Sequence, residues 1–146
     1  MKGDNIFERL VKVGVGVVNL TEALPGTPSA RHIGQQLVRS ATSAGANYQE
    51  ARGAESRNDF AHKLGVALKE LHEAHYWLKL LGGLGWITAE GLQPLLHESW
   101  ELSRILGSSI RTARAGSTVG QVQPETDNRK PETVAPSKAW DWRNPT

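Results

Sequence analysis

Two histidines of this sequence come closest to a chemical site in type and spacing. His72 and His75 fall on one face of a predicted helix, where two imidazoles could hold a metal ion. A zinc-protease helix needs H-E-x-x-H, and the run 72–75 is one residue short of that motif. A di-iron bundle needs two Glu-x-x-His pairs, and the nearest match, 59–62, occurs once and begins with aspartate. We therefore predict no metal and no cofactor, with both histidines at polar or boundary positions.

Other motifs of enzyme chemistry do not occur in the sequence. It contains no cysteine, which excludes a thiol nucleophile, disulfides and thiolate zinc sites. Neither the G-x-S-x-G pattern of a serine hydrolase nor the Walker A pattern is found. The glycine-rich run 82–85 follows a predicted helix and not a strand, so we interpret it as a helix stop. The sequence predicts that the protein is not an enzyme.

Arginines are the residues best suited to bind a charged partner, because guanidinium groups contact phosphates. Three arginines of the last predicted helix follow one another at spacings of seven and three, and so share one face. Four others flank or lie on the second predicted helix. The candidate nucleic-acid-binding residues are Arg31, Arg39, Arg52, Arg57, Arg104, Arg111 and Arg114. The alternative is a solvated surface, where cations near helix ends complement the helix dipole.

Aromatic side chains indicate a second surface. Trp77 lies about one position off the apolar stripe of the third predicted helix, next to Tyr76. A second apolar face on an amphipathic helix suggests contact with another subunit, where Tyr and Trp are enriched. We predict that Tyr76, Trp77 and Trp100 are subunit-interface residues. The alternative is that they cover the core of their own chain.

Four amphipathic helices are needed to position these residues. Apolar residues recur at spacings of three and four in four segments, which proline- or glycine-containing breaks separate. The predicted helices are Asn5–Glu22, Ala30–Ala51, Arg57–Leu81 and Ala89–Ala113. Because short connections favour antiparallel neighbours, the sequence predicts an all-α fold, an antiparallel up-down-up-down four-helix bundle over residues 1–115.

The helix ends and one interior segment carry more specific predictions. Asp4, Ser29, Ser56 and Thr88 are the expected N-caps, because each side chain can accept from the free N–H groups of a first helical turn. Val11–Val18 contains stiff β-branched residues and two glycines, so a strand is the alternative there. The helical spacing continues on both sides of that segment and favours a helix.

Composition indicates one domain followed by a polar extension. The chain has 146 residues and a formal net charge of +2, with a pI of about 9.1. This mild basic excess permits nucleic-acid contact without requiring it. From residue 116 onward the periodicity ends and polar residues, Gly and Pro dominate, so we predict a disordered tail over 116–146. Without a signal-peptide pattern or a membrane-length apolar run, we expect a cytoplasmic protein with no membrane partner.

Four short motifs, in order, resemble one known family. The motifs are QLVRSA at 36–41, NYQEARG at 47–53, SRNDF at 56–60 and LGVALKEL at 64–71. Their order and spacing are similar to the bacterial four-helix bundle family that includes proteins encoded in intervening sequences of large-subunit ribosomal RNA genes. The sequence departs from the family pattern at Tyr48, Gln49, Ala51, Asp59 and Ala67.

The resemblance implies a four-helix bundle that forms a homopentamer and has no enzymatic activity. The same family extends to accessory variability proteins of diversity-generating retroelements, which are similar basic, pentameric bundles that bind a reverse transcriptase and nucleic acid. Segments 76–78 and 104–110 are similar to that branch. Two hypotheses follow: an accessory protein with RNA or DNA and a reverse transcriptase as partners, or a protein-interaction module without a nucleic-acid role.

Overall fold

Four helices form a closed ring in this computed structural model, which describes residues 2–118, with side chains over 3–116. The helices are α1 (Lys2–Thr21), α2 (Pro28–Arg52), α3 (Arg57–Leu84) and α4 (Ala89–Thr118). Each helix contacts the next along the chain, and α1 also contacts α4. Since short connections join them, consecutive helices run antiparallel. The predicted all-α four-helix bundle is confirmed, and no helix in the described part is long and apolar enough to cross a membrane.

The predicted apolar stripes form the core. Buried leucines of α3 pack against a face of α2 whose central residues, Ala41 and Ala44, are small. Small side chains let neighbouring helices approach closely, because the distance between axes depends on the residues at the contact. Val11–Val18 is helical throughout, so the strand alternative is wrong there. Val13 and Val17 of this segment reach the core, and burial outweighs their lower helix propensity.

Two of the predicted N-caps are confirmed. The Ser56 hydroxyl accepts a hydrogen bond from the N–H of Asp59 at 3.1 Å, at the start of α3. The Asp59 carboxylate in turn accepts from the backbone N–H of Glu55 at 3.3 Å, one residue before the position a capping box uses. At the start of α4, the Thr88 hydroxyl accepts from the N–H of Gly91 at 3.2 Å.

The other two predicted N-caps are wrong. Thr27, not Ser29, caps α2, and its hydroxyl accepts from the N–H of Ala30 at 3.2 Å. Pro28 takes the first helical position, where its fixed φ and missing N–H cost nothing, and this moves the cap to the preceding residue. Asp4 lies inside α1, which begins at Lys2.

Helix α3 continues past its predicted end at Leu81. It runs through Gly82 and Gly83 and ends at Leu84, before Gly85 with a φ of 70°. The N–H of Gly85 donates to the carbonyl of Gly82 at 3.3 Å. A left-handed residue ends the helix, and glycine adopts this conformation without steric cost.

Helix α4 also extends beyond its predicted end at Ala113 and reaches Thr118. The first residues of the predicted tail therefore continue the helix, and the rest of that tail, 119–146, lies outside the described residues. Pro94 lies in the second turn of α4.

Helix α1 reaches α4 through one close approach and one ion pair. A Cβ on Gly16 would lie 2.9 Å from Cδ2 of Leu95, so glycine allows the two helices to meet here. Arg9 donates two hydrogen bonds to the carboxylate of Glu98, at 2.6 and 3.0 Å. This contact lowers the pKa of Glu98 and raises the pKa of Arg9.

Candidate nucleic-acid interface

Arg39 joins α2 to α3. Its guanidinium lies 3.2 Å from Glu70 and also contacts Glu73, while its Nε donates to Gln36 at 3.1 Å. The hydrogen bond from Arg39 and a second one from the indole N–H of Trp77 lower the pKa of Glu73. Carboxylates therefore balance this arginine, and it stabilises the α2–α3 contact rather than presenting a bare positive charge.

Arg52 ties the end of α2 to the start of α1. Its guanidinium pairs with the carboxylate of Asp4 and lies 5.8 Å from the ring centre of Phe7. This pairing lowers the pKa of Asp4. Nearby, the hydroxyl of buried Tyr48 donates to the carbonyl of Gly3 at 3.3 Å. The departure from the family pattern at position 48 thus provides a second tie between the same two helix ends.

Arg31 and Arg57 lie apart from these pairs. Arg31 is exposed in the first turn of α2 and donates to the carbonyl of Gly26 at 3.4 Å. Arg57, the first residue of α3, lies against Gly116 so closely that a Cβ on this glycine would collide with the guanidinium. This contact brings Arg57 to the end of α4 that carries Arg114.

Arg104 and Arg111 lie in a cavity between α3 and α4, which we name the α3–α4 cavity. Its volume is about 900 Å³, and the lining residues that matter here are Leu68, His72, His75, Trp100, Arg104 and Arg111. The guanidinium of Arg104 lies over the ring of Trp100, 4.8 Å from its centre. The nearest charge partner of Arg104, Glu101, is 3.7 Å away, and the Arg104 side chain is 64% exposed.

The charges of α3 and α4 are divided between two faces. The carboxylates Glu70 and Glu73 of α3 pair with α2, whereas His72 and His75 of α3 line the cavity beside α4. After Glu101, the described part of α4 carries three arginines and no carboxylate. The α3–α4 face therefore keeps a positive charge that the α2–α3 face does not.

The predicted histidine pair lies in this cavity. The Ser99 hydroxyl lies 3.1 Å from the carbonyl oxygen of Leu96 and 3.2 Å from Nδ1 of His75, and hydrogen bonds join it to both. Burial lowers the pKa of His75, and the neighbouring Lys79 and His72 lower this pKa further. The imidazole of His75 is thus mainly neutral at pH 7. Within residues 2–118, no group of three or more His, Cys, Asp or Glu residues is placed to hold a metal ion.

The three predicted interface aromatics do not form one patch. Tyr76 is 57% exposed and meets Trp77 edge-on, with ring centres 4.9 Å apart. Trp77 is half-buried and faces His32 of α2 at 6.1 Å. Trp100 instead lies in the α3–α4 cavity. Their role as interface residues stays a prediction.

An exposed valine ridge on α1 is a feature that sequence reasoning missed. Val11, Val15 and Val18 are 42%, 56% and 40% exposed. They border a groove of about 570 Å³ between α1 and α2, whose lining includes Gly14 and Gly45. Their spacing of four and three marks a second apolar face of the helix in the sequence, which the helix prediction for Val11–Val18 does not use. We name this surface the α1–α2 groove.

Comparison with known proteins agrees with the architecture. A family described as 23S rRNA-intervening sequence protein matches residues 5–108. A crystal structure of a protein with unknown function, from the S23 ribosomal protein family of Bacteroides thetaiotaomicron, is 38% identical. The match covers 76% of this chain and 99% of that chain, with a TM-score of 0.70. No curated protein matches. The chain belongs to the 23S rRNA-intervening sequence protein family.

Proposed function

We propose that this protein is a non-enzymatic, cytoplasmic nucleic-acid-binding protein whose α3–α4 face contacts the phosphates of RNA. The observation that supports this proposal is that carboxylates neutralise some of the arginines much more closely than others. Arg39 and Arg52 pair closely with carboxylates, whereas Arg104 and Arg111 line one cavity in which Glu101, 3.7 Å from Arg104, is the single carboxylate among the described lining residues. The family description refers to 23S rRNA, which makes RNA the first polyanion to test.

Binding of this kind is driven by release of counterions from the nucleic acid. Each phosphate that an arginine neutralises contributes about 0.7 to the slope of log K against log salt for a single strand. Two arginines of one subunit give a slope of about 1.4, which is about a sevenfold loss of affinity between 50 and 200 mM salt. In an oligomer, several subunits can contact the same RNA, so both the affinity and its dependence on salt increase, because linked sites bind with avidity.

Fluorescence anisotropy with a labelled single-stranded RNA, repeated at several salt concentrations, tests the proposal. The variant R104A/R111A is expected to bind more weakly and to lose about 1.4 from the salt slope per subunit. The matched control K12A/K69A removes two exposed lysines that do not line the cavity and is expected to keep the slope. An unchanged slope in the cavity variant, or an equal loss in the control, would contradict the α3–α4 face as the binding surface.

We also propose that the protein self-associates through the α1–α2 groove. The valine ridge and the groove of small residues lie side by side, so two copies can place ridge into groove, as packed helices do. The family resemblance implies five subunits. Light scattering of V15K is expected to give a lower mass than that of the unmodified protein. Y76K tests the predicted aromatic interface in parallel, and a lower mass for Y76K alone would assign the interface to the aromatic surface.

A non-enzymatic accessory protein works with an enzyme that acts on nucleic acid. The family resemblance implies that this partner enzyme is a reverse transcriptase. The genomic neighbourhood of the gene distinguishes a role in a retroelement from a role linked to ribosomal RNA. A reverse transcriptase gene with a template repeat nearby supports the retroelement role. A position inside a ribosomal RNA gene supports the ribosomal one.

A further inference from the structure

We infer that the α3–α4 cavity binds one nucleotide unit, a phosphate carried by a sugar with a planar base. The inference rests on the proposed nucleic-acid function and deepens it, since a basic surface alone needs only the phosphate backbone. In the inferred site the base and the sugar make contacts in addition to those of the phosphate.

The size of the cavity fits a small ligand. Its volume of about 900 Å³ lies within the range of about 300–1,000 Å³ that is typical of ligand pockets. Such pockets combine apolar walls with a few convergent polar groups. Here Leu68 and Ile105 supply apolar side chains, and the arginines, histidines and serines supply polar ones.

The phosphate end of the ligand fits Arg104 and Arg111. These residues are about two helical turns apart on α4, which places both guanidinium groups along one side of the cavity. Glu101 is the one carboxylate among the lining residues, and its 3.7 Å contact with Arg104 is long for a charge-assisted hydrogen bond. A phosphate, with more acceptor oxygens, can replace this contact.

The planar end of the ligand fits the pair of Trp100 and Arg104. The guanidinium lies over the indole, with Cζ 4.8 Å from the ring centre, so the cavity wall carries a cation–π pair. Proteins hold unpaired bases by stacking them on aromatic rings or on arginine planes. A base on the outer side of Arg104 would extend the existing pair and bring its phosphate towards Arg111.

A histidine suits the sugar. His72 lines the cavity, and partial burial lowers its pKa, so its imidazole is mainly neutral at pH 7 and exchanges hydrogen bonds with hydroxyl groups without adding charge. An acidic peptide would use the arginines but not the indole–guanidinium pair, and a fatty acid would leave most of the polar groups without partners. A nucleotide uses all three kinds of group.

Isothermal titration calorimetry of the intact chain tests the inference, with adenosine 5′-monophosphate as the ligand at concentrations of about 1 mM. We expect binding that is at least about tenfold weaker for adenosine and for inorganic phosphate, since each lacks one end of the ligand. R111A and W100L are each expected to weaken binding by about tenfold. K12A removes an exposed cation of α1 outside the cavity and is expected to leave the affinity unchanged. Circular dichroism spectra and urea unfolding midpoints serve as the check that each variant is folded.

Competition identifies the source of the nucleotide. Displacement by single-stranded oligoadenylate but not by a duplex assigns the site to unpaired RNA, and lack of displacement by either assigns it to a free nucleotide. The inference is overturned if adenosine 5′-monophosphate does not bind, or if phosphate alone or an acidic peptide binds as tightly. It is also overturned if R111A binds the nucleotide as tightly as the unmodified protein does. If salt-dependent RNA binding persists in that case, the nucleotide site is refuted while the proposed function stands.

Discussion

Removing the Arg9–Glu98 contact tests how α1 is held on the bundle. Apart from its packing on α2, α1 meets the rest of the described chain through sparse contacts with α4, among which this pair makes two hydrogen bonds. The single variants R9A and E98A, with the double variant R9A/E98A, form a cycle that isolates the interaction between the two side chains. The same helix carries the valine ridge, so its attachment also bears on self-association.

The size of the effect follows from geometry and exposure. Two unit charges about 4 Å apart attract by about 4 kcal/mol at an effective dielectric constant of about 20. The side chains are 30% and 29% exposed, so they lose part of their hydration and much of their rotational freedom when they pair. A two-hydrogen-bond contact of this kind retains a coupling of about 1 kcal/mol, at the upper end for partly exposed pairs.

Urea unfolding of the four proteins at pH 7 and pH 3 measures this coupling. Since Arg9 lowers the pKa of Glu98 in the folded state, the coupling is present in full above the unfolded pKa of about 4.3 and is lost as the pH falls through the lowered folded value. The pair Glu101–Arg104, separated by 3.7 Å on one helix, is a control with an expected coupling of about 0.3 kcal/mol. A coupling near zero at pH 7, or one that persists undiminished at pH 3, would refute this reasoning.

Two further substitutions test the helix ends. G85A is expected to destabilise the fold by about 1 kcal/mol, since alanine is strained at a φ of 70°, whereas G83A in the open last turn of α3 is expected to be neutral or stabilising in the same urea assay. Y48F removes the hydrogen bond to Gly3 and is expected to cost about 0.5–1 kcal/mol. Burial raises the pKa of Tyr48, so the unfolded chain ionises first as the pH rises through about 10. The unmodified protein should therefore lose stability there, and a similar loss in Y48F would contradict this origin.

Helix number and order were predictable because the information is local. A stripe such as Leu64, Leu71 and Leu78 repeats at the helical period, and the structure buries all three. Boundaries were less predictable, because several neighbouring residues can end a helix. Both Gly82 and Gly85 fit a stop in the sequence, and only the backbone shows that Gly85 is the left-handed one.

The surface position of the candidate arginines was predictable, but the partners of each arginine were not. Spacing along α2 places Arg39 on the surface, and the structure agrees, yet its carboxylate partners come from α3, more than thirty positions away in the chain. Local sequence contains no signal for such a pairing. The cavity that gathers His72, Trp100 and Arg111 is likewise a product of two helices facing each other.

Helix α3 shows why charge balance, and not arginine count, distinguishes a candidate interface in this bundle. A buried stripe leaves two flanks on the helix, and each flank faces a different neighbour. One flank of α3 places Glu70 and Glu73 against Arg39, which fixes the α2 contact and cancels the charge. The other flank contributes histidines to a wall whose charged residues are mainly arginine. Placing a carboxylate on that second flank, as in H72E, would cancel the charge there as well. If the proposed function is correct, this variant should weaken RNA binding as strongly as the loss of one cavity arginine.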